Sequence, residues 1–134
     1  MKKIVTFGVF DYFHLGHLRL FKQCRDYGDY LIVAVQNGEY IKRYKPDAQV
    51  LYSTEERVEI LQSIREIDEV YVFDICDRNA LNRIDFDILA LGEDHVGSRF
   101  DGMIEWCEEH GKHVVRLKRT KGISSRFLKT KLEL

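Results

Sequence analysis

Residues 4–17 read IVTFGVFDYFHLGH, a short apolar segment followed by a turn that carries two histidines. The apolar run from Ile4 to Val9 predicts a buried strand that ends in a turn containing Gly8. Leu15 to Tyr27 then repeats apolar residues at helical spacing, and Gly28 follows where helices commonly end in glycine. The stretch therefore predicts a strand, a tight turn and a helix, which is the opening of an α/β fold.

Strand-like and helix-like segments alternate along the rest of the chain. Apolar runs predict four more strands, at Tyr30–Val35, Glu69–Phe73, Phe86–Leu91 and Val114–Leu117. Ser53 to Glu56 has the spacing of a capping box that opens a helix, Gly111 closes a later helix, and a last short helix starts at Ser124. The alternation predicts a single α/β domain over residues 1–134: a small Rossmann-like parallel five-stranded sheet with helices on both faces.

Asn37 to Tyr52 is polar and basic, and it contains the only proline of the chain, Pro46. This segment predicts a long mobile loop, and loops of such length in compact domains are usually functional or disordered. The run Lys42–Lys45 within it is expected to be part of a flap that closes over substrate.

The composition argues against several classes of function. The 134 residues carry a net charge of −1, which argues against a nucleic-acid partner. Three cysteines without a CxxC pair predict neither a disulfide framework nor a thiolate metal site, and no other fixed metal site is expected. No signal peptide and no bilayer-spanning apolar run are evident, so we expect no membrane insertion and a cytoplasmic location.

Ligands of parallel sheets bind beyond the carboxyl ends of the strands, which points to the turns after the first, fourth and fifth strands. After the first strand, His14 and His17 stand three residues apart at the start of a helix, and Gly16 lets an anion approach the backbone. Free N–H groups at a helix start suit a phosphate. The alternative is two surface histidines on an ordinary turn, which the combination of pair, glycine and preceding strand disfavours.

The turn after the fifth strand reads RTKGISSR, residues 119–126. Its cations flank a turn glycine, and two serines are placed to cap a helix, so it predicts a second anion site in which Arg119 grips phosphate. Alone, the segment also fits ordinary helix capping. Two anion sites on one rim indicate a polyphosphate ligand. His14 and His17 would flank its reacting phosphorus, which an acceptor phosphate attacks in line without an enzyme nucleophile.

These two segments, the HxGH core within residues 8–17 and RTKGISS at residues 119–125, resemble those of the cytidylyltransferases, most of all the bacterial glycerol-3-phosphate branch. The resemblance covers essentially the full chain. It implies transfer of CMP from CTP to a small alcohol phosphate, with glycerol 3-phosphate as the first candidate, and release of pyrophosphate. It also implies a homodimer. Mg²⁺ is expected to arrive with the nucleotide, because it binds mainly through substrate phosphates.

The resemblance further implies roles for individual residues. The catalytic contacts are assigned to His14, His17, Lys45 and Arg119. Nucleotide binding is assigned to residues in the three turns, namely Gly8, Val9, Phe10, Asp11, Gly16, Gly92, Asp94, Thr120, Gly122, Ile123, Ser124 and Ser125. The acceptor site is assigned to Lys42, Arg57, Arg65 and Asp68.

Several assignments stay open at this level. Val9 stands where the glycerol-phosphate enzymes usually have a hydroxyl residue. An apolar residue at this position also resembles the choline-phosphate branch. Ser125–Arg126 replaces the usual pair of threonines. Lys42 remains an alternative to Lys45 as the loop lysine that reaches the phosphates. Asp11 is predicted either to orient an imidazole or to cap the helix. His95 is predicted to contact either the base or an adjoining subunit.

Two other functions share the histidine motif. An adenylyltransferase that uses ATP with FMN or a sugar phosphate would keep the mechanism and change the nucleotide, although RTKGISS favours the cytidylyl branch. A regulatory module that binds nucleotide without turnover is the alternative from another class. The intact histidine pair and basic loop argue against a decayed site.

Overall fold

The computed structural model describes residues 1–119 of the chain. Five strands form one sheet: β1 Lys3–Gly8, β2 Tyr30–Gln36, β3 Glu69–Phe73, β4 Ile88–Gly92 and β5 His113–Leu117. Every neighbouring pair is parallel, and the order across the sheet is β3-β2-β1-β4-β5. The predicted five-stranded parallel sheet is confirmed, whereas the helix predicted from Ser124 lies outside the described residues.

Helices cover both faces of this sheet, as predicted. They are α1 Leu15–Tyr27, α2 Gly38–Tyr44, α3 Thr54–Gln62, α4 Arg78–Leu81 and α5 Ser98–Glu109. Phe21 of α1 and Leu61 of α3 belong to one buried cluster, and Leu81 of α4 and Met103 of α5 belong to the other. The sheet therefore lies between two apolar layers.

Strand β2 shows why the apolar runs lack an in-out alternation. Leu31, Val33 and Val35 face the α1 and α3 side, while Ile32 and Ala34 face the α4 and α5 side. All five are essentially inaccessible to solvent. A strand with both faces covered needs apolar residues at every position, and such runs are typical of parallel sheets.

Two glycines are required by close approach of neighbouring groups. A Cβ at Gly8 would lie 2.8 Å from the ring of Phe10, and one at Gly28 would lie 2.9 Å from Cγ2 of Ile4. Gly28 ends α1 as predicted, but its backbone is extended, with φ of −141°. Crowding against β1, not a left-handed conformation, is therefore the reason for glycine there.

The segment predicted as one long loop contains a helix, so that prediction was wrong for its first half. Helix α2 begins after Asn37, whose side-chain oxygen accepts an N–H bond from Glu39 at 3.2 Å. Ile41 is 7% exposed and anchors the helix to the core. The predicted capping box at Ser53 and Glu56 does open α3, with bonds of 2.9 and 3.1 Å.

The strand order reverses at β1, which pairs with β2 on one side and with β4 on the other. The connections after β1 and β4 therefore leave the sheet on opposite faces. Between the carboxyl ends of these two strands the fold leaves a crevice, which is where α/β sheets bind their ligands.

Candidate active site

A cleft of about 730 Å³ opens at the carboxyl ends of β1, β4 and β5. The turns after these strands line it, together with residues from the segment between α2 and α3. The structure thus brings together all of the predicted catalytic and nucleotide-binding residues that it describes: Gly8, Val9, Phe10, Asp11, His14, Gly16, His17, Lys45, Gly92, Asp94 and Arg119.

The two histidines cap helix α1 with their own side chains. Nδ1 of His14 accepts a bond from the backbone N–H of Gly16 at 3.0 Å, and Nδ1 of His17 accepts one from the backbone N–H of His14 at 3.2 Å. A ring nitrogen that accepts such a bond carries no proton, so the neutral rings are protonated at Nε2. Each imidazole therefore keeps one N–H donor for a ligand in the cleft.

The rings of His14 and His17 stack with centroids 3.8 Å apart and planes 21° apart. Phe13 stacks on His17 from 5.5 Å, and Phe10 meets it edge-on from 5.4 Å. Burial lowers the pKa of His17 to about 3, and burial together with the charge of Arg119 lowers the pKa of His14. Both rings are therefore neutral hydrogen-bond donors near pH 7.

The turn that presents the histidines is strained. Phe10 and Tyr12 have positive φ angles of 55° and 48°, which bulky residues rarely adopt. Packing offsets part of this cost, because the Phe10 ring is 6% exposed and lies against His17 and Phe21. Strain of this kind is often stored where a backbone must present side chains in one orientation.

Asp11 has a role that neither prediction anticipated. Its carboxylate is 8% exposed and accepts N–H bonds from Leu51 at 2.7 Å and Tyr52 at 3.1 Å. It thus ties the turn after β1 to residues 40 positions away. Helix α1 does not use it as a cap, because His14 occupies the N-cap position.

The loop lysine that reaches the cleft is Lys45. It follows α2 directly and lines the cleft, whereas Lys42 lies exposed on α2. Ala48, Gln49 and Val50 line the same side of the cleft. These loop residues had no signal in the sequence, because their place in the site depends on how the segment folds back.

The turn after β4 is held from both sides. Nδ1 of His95 accepts a bond from the Gly92 N–H at 3.0 Å, and its ring stacks on Phe100 at 4.8 Å. Arg116 of β5 donates to the carbonyls of Gly92 at 2.9 Å and His95 at 2.7 Å. Burial lowers the pKa of His95, so this cleft residue is also a neutral donor. The sequence analysis missed Arg116, which could have been noticed only as a charged residue within an otherwise apolar strand segment.

None of the four acceptor-site candidates, Lys42, Arg57, Arg65 and Asp68, lines the cleft. Arg57 is fully buried and donates to the carbonyls of Val9 at 2.8 Å and Gln36 at 2.7 Å. Burial lowers its pKa, and the charge of Asp11 acts in the opposite direction. Arg65 and Asp68 precede β3 and lie at the amino edge of the sheet, where Asp68 accepts the Leu31 N–H at 2.8 Å. Strand direction places them away from the histidines.

Arg119 is the last described residue, and it lines the cleft beside His14. The remaining predicted nucleotide-binding residues, Thr120, Gly122, Ile123, Ser124 and Ser125, lie outside the described residues. Within residues 1–119, no three His, Cys, Asp or Glu side chains form a group that could hold a metal ion. Across the same range, no helix is long and apolar enough to cross a membrane.

Comparisons with known proteins agree with this geometry. A family model described as cytidylyltransferase-like matches residues 5–131. The chain is 35% identical over 134 residues to the glycerol-3-phosphate cytidylyltransferase of Bacillus subtilis, covering 98% of each chain. It is 36% identical over 94 residues to the FAD synthase of Thermococcus kodakarensis, covering 69% of this chain and 62% of that protein.

A solved structure supports the fold independently. The crystal structure of the lipopolysaccharide core biosynthesis protein from Thermoplasma volcanium superposes with a TM-score of 0.73 at 21% identity, covering 92% of this chain and 99% of that one. The predicted family and enzyme class are confirmed by these matches. The chain belongs to the cytidylyltransferase-like family.

Proposed function

We propose that this protein transfers the CMP group of CTP to a small alcohol phosphate, with glycerol 3-phosphate as the first candidate, and releases pyrophosphate. The observation that carries the proposal is the pair of neutral imidazoles at the start of α1, whose Nδ1 atoms are both occupied by backbone N–H groups. The similarity to a glycerol-3-phosphate cytidylyltransferase supports the choice of acceptor.

The reaction requires no covalent enzyme intermediate. A phosphate oxygen of the acceptor attacks the α-phosphorus of CTP, a new P–O bond forms, and the bond to the bridging oxygen of the β-phosphate breaks. The Nε2–H groups of His14 and His17 donate to oxygens that gain charge in the transition state. Because both rings are neutral donors, they need neither to gain nor to lose a proton during transfer.

The cations around the cleft fit the leaving pyrophosphate. Lys45 approaches from the segment after α2, and Arg119 approaches from the end of β5. These two positive side chains offset part of the charge of a triphosphate, which the net charge of the whole chain does not. Magnesium enters as part of the nucleotide substrate, since it keeps its waters and binds phosphate oxygens.

A second candidate keeps this chemistry and changes both substrates. The similarity to an FAD synthase supports transfer of AMP from ATP to FMN. The same histidines and cations would serve either nucleotide, because they act on the phosphates and not on the base. The choice between CTP and ATP therefore falls to groups near the turn after β4 and to the acceptor.

The test is pyrophosphate release with Mg²⁺, crossing CTP and ATP against glycerol 3-phosphate, choline phosphate, ethanolamine phosphate, ribitol phosphate, sugar phosphates and FMN. We expect release with CTP and one alcohol phosphate, and release slowed by about a hundredfold or more after His14→Ala. Pyrophosphate release from ATP and not from CTP would identify the protein as an adenylyltransferase. Nucleotide binding without turnover by any pair would support the regulatory alternative.

The homodimer is part of the same proposal, supported by the family resemblance. Light scattering at micromolar concentration is expected to give twice the mass of the 15.9 kDa chain. A monomer under these conditions would contradict it.

A further inference from the structure

The segment that carries Lys45 is tied to the histidine turn near both of its ends. We call residues 37–52 the strap, because they cross from the end of β2 to the start of α3 along the rim of the cleft. Arg57 joins the carbonyl of Gln36, just before the strap, to the carbonyl of Val9 in the turn. Asp11 binds the backbone N–H groups of Leu51 and Tyr52 at its far end.

Backbone hydrogen bonds between nearby residues link Lys45 to the anchored ends of the strap. The backbone N–H of Lys45 donates to the carbonyl of Ile41 at 2.9 Å, and the carbonyl of Lys45 accepts the N–H of Ala48 at 2.9 Å. A turn at residues 45–48 therefore separates the end of α2 from the last strap residues. Ile41, which is buried, and Leu51, which is bound to Asp11, thus anchor the backbone on both sides of Lys45.

Groups of α1 itself hold the orientation of the two histidines. Both Nδ1 atoms are engaged by backbone N–H groups of α1, and the two rings stack on each other. The Asp11 carboxylate accepts two bonds from the backbone of the strap. We propose that Asp11 is a positioning residue for Lys45, an inference that rests on the proposed transfer reaction.

The proposal predicts that Asp11 and Lys45 act as one unit in catalysis. In Asp11→Asn, the amide NH₂ would face one of the two backbone N–H groups, so one charge-assisted bond is lost and the end of the strap is released. We expect kcat/KM for the nucleotide to fall by about tenfold to a hundredfold. Lys45→Ala should produce a similar loss, because it removes the cation itself.

A double-mutant cycle tests the coupling. The Asp11→Asn, Lys45→Ala double variant is expected to be no slower than the slower single variant. In the double variant that combines Asp11→Asn with His14→Ala, by contrast, the loss in kcat/KM should equal the product of the two single losses. The proposal would be overturned if the losses of Asp11→Asn and Lys45→Ala also multiplied. It would equally be overturned if the losses of Asp11→Asn and His14→Ala did not.

Hydrogen exchange tests the tie without relying on turnover. In Asp11→Asn, amide exchange at Leu51 and Tyr52, followed by NMR, should accelerate by about tenfold or more relative to the unchanged chain. The matched control is Asp47→Asn, which removes an exposed carboxylate from the same strap and should leave both rates unchanged.

Failure of this inference and failure of the proposed function can be told apart. Unchanged exchange at Leu51 and Tyr52 in Asp11→Asn would overturn the inference even in a fully active enzyme. Absence of transfer with every nucleotide would refute the proposed function while the exchange rates still report on the tie.

Discussion

Backbone groups at the ends of the strands are bound by side chains of opposite charge at the two edges of the sheet. At the amino edge, the carboxylates of Asp29, Asp68 and Asp87 accept N–H bonds of 2.7, 2.8 and 2.9 Å from backbone at or beside the starts of β1 and β2. At the carboxyl edge, the guanidinium groups of Arg57 and Arg116 each donate to two backbone carbonyls.

This difference follows from the direction of the strands. All five run the same way, so backbone N–H groups lack ladder partners at one edge and carbonyls lack them at the other. Carboxylates satisfy the first, and guanidinium groups satisfy the second. Besides these two guanidinium groups, the carboxyl edge carries Lys45 and Arg119, together with the acidic Asp11, Glu93 and Asp94. We expect a phosphate ligand at that edge, where the histidine pair also lies.

The largest predicted difference between the edges concerns histidine. His14→Ala and His17→Ala should each lower turnover by about a hundredfold to a thousandfold, because each removes a transition-state donor. The matched control is His113→Ala, an exposed histidine at the amino edge, whose turnover should stay within about twofold of the unchanged chain. Steady-state pyrophosphate release measures all three. Losses below about tenfold for both cleft variants would refute the mechanism.

The next prediction compares a buried cation with its counterpart at the other edge. Arg57→Met removes the buried donor of the Val9 and Gln36 carbonyls and should lower the unfolding free energy by about 2–4 kcal/mol, with kcat/KM falling as well. Asp68→Asn should cost about 1–2 kcal/mol of stability and leave kcat/KM unchanged. Urea unfolding and steady-state kinetics measure the two effects. A raised KM for the acceptor in a stable Asp68→Asn protein would instead support an acceptor role.

The smallest predicted effect is a pH dependence of stability. The pKa of His17 is about 3 in the folded chain, below its ordinary value near 6.5, so the unfolded chain binds the proton more tightly. The contribution of the neutral His17 ring to the unfolding free energy is therefore complete above pH 6.5 and is lost as the pH falls toward 3. Between pH 7.5 and 5.5 this should amount to about 1 kcal/mol.

Urea unfolding at these two pH values measures the dependence. His17→Gln should remove about that much of it, because the titrating group is gone. His113→Gln at the opposite edge should keep the dependence of the unchanged chain. An equal pH dependence in all three proteins would show that His17 titrates normally in the folded state.

The strands, the first helix and the cleft-lining turns were predictable because each depends on local pattern. The continuous apolar run of β2 reports burial on both faces, and the HxGH motif marks the start of α1. Helix α2 was missed because it has seven residues and begins with glycine, a poor helix former. Its stability comes from burying Ile41 and from the cap at Asn37.

The sequence by itself determined the order of elements, the parallel sheet and the position of the histidine pair, since periodicity and motif spacing are local properties. Only the tertiary structure decided which charged residues face the cleft. Arg57 donates to backbone carbonyls outside the cleft, and Asp11 binds backbone N–H groups 40 residues away. Lys45 lines the cleft, whereas Lys42 does not. Such assignments depend on hydrogen bonds between segments distant along the chain, and no local pattern encodes those distances.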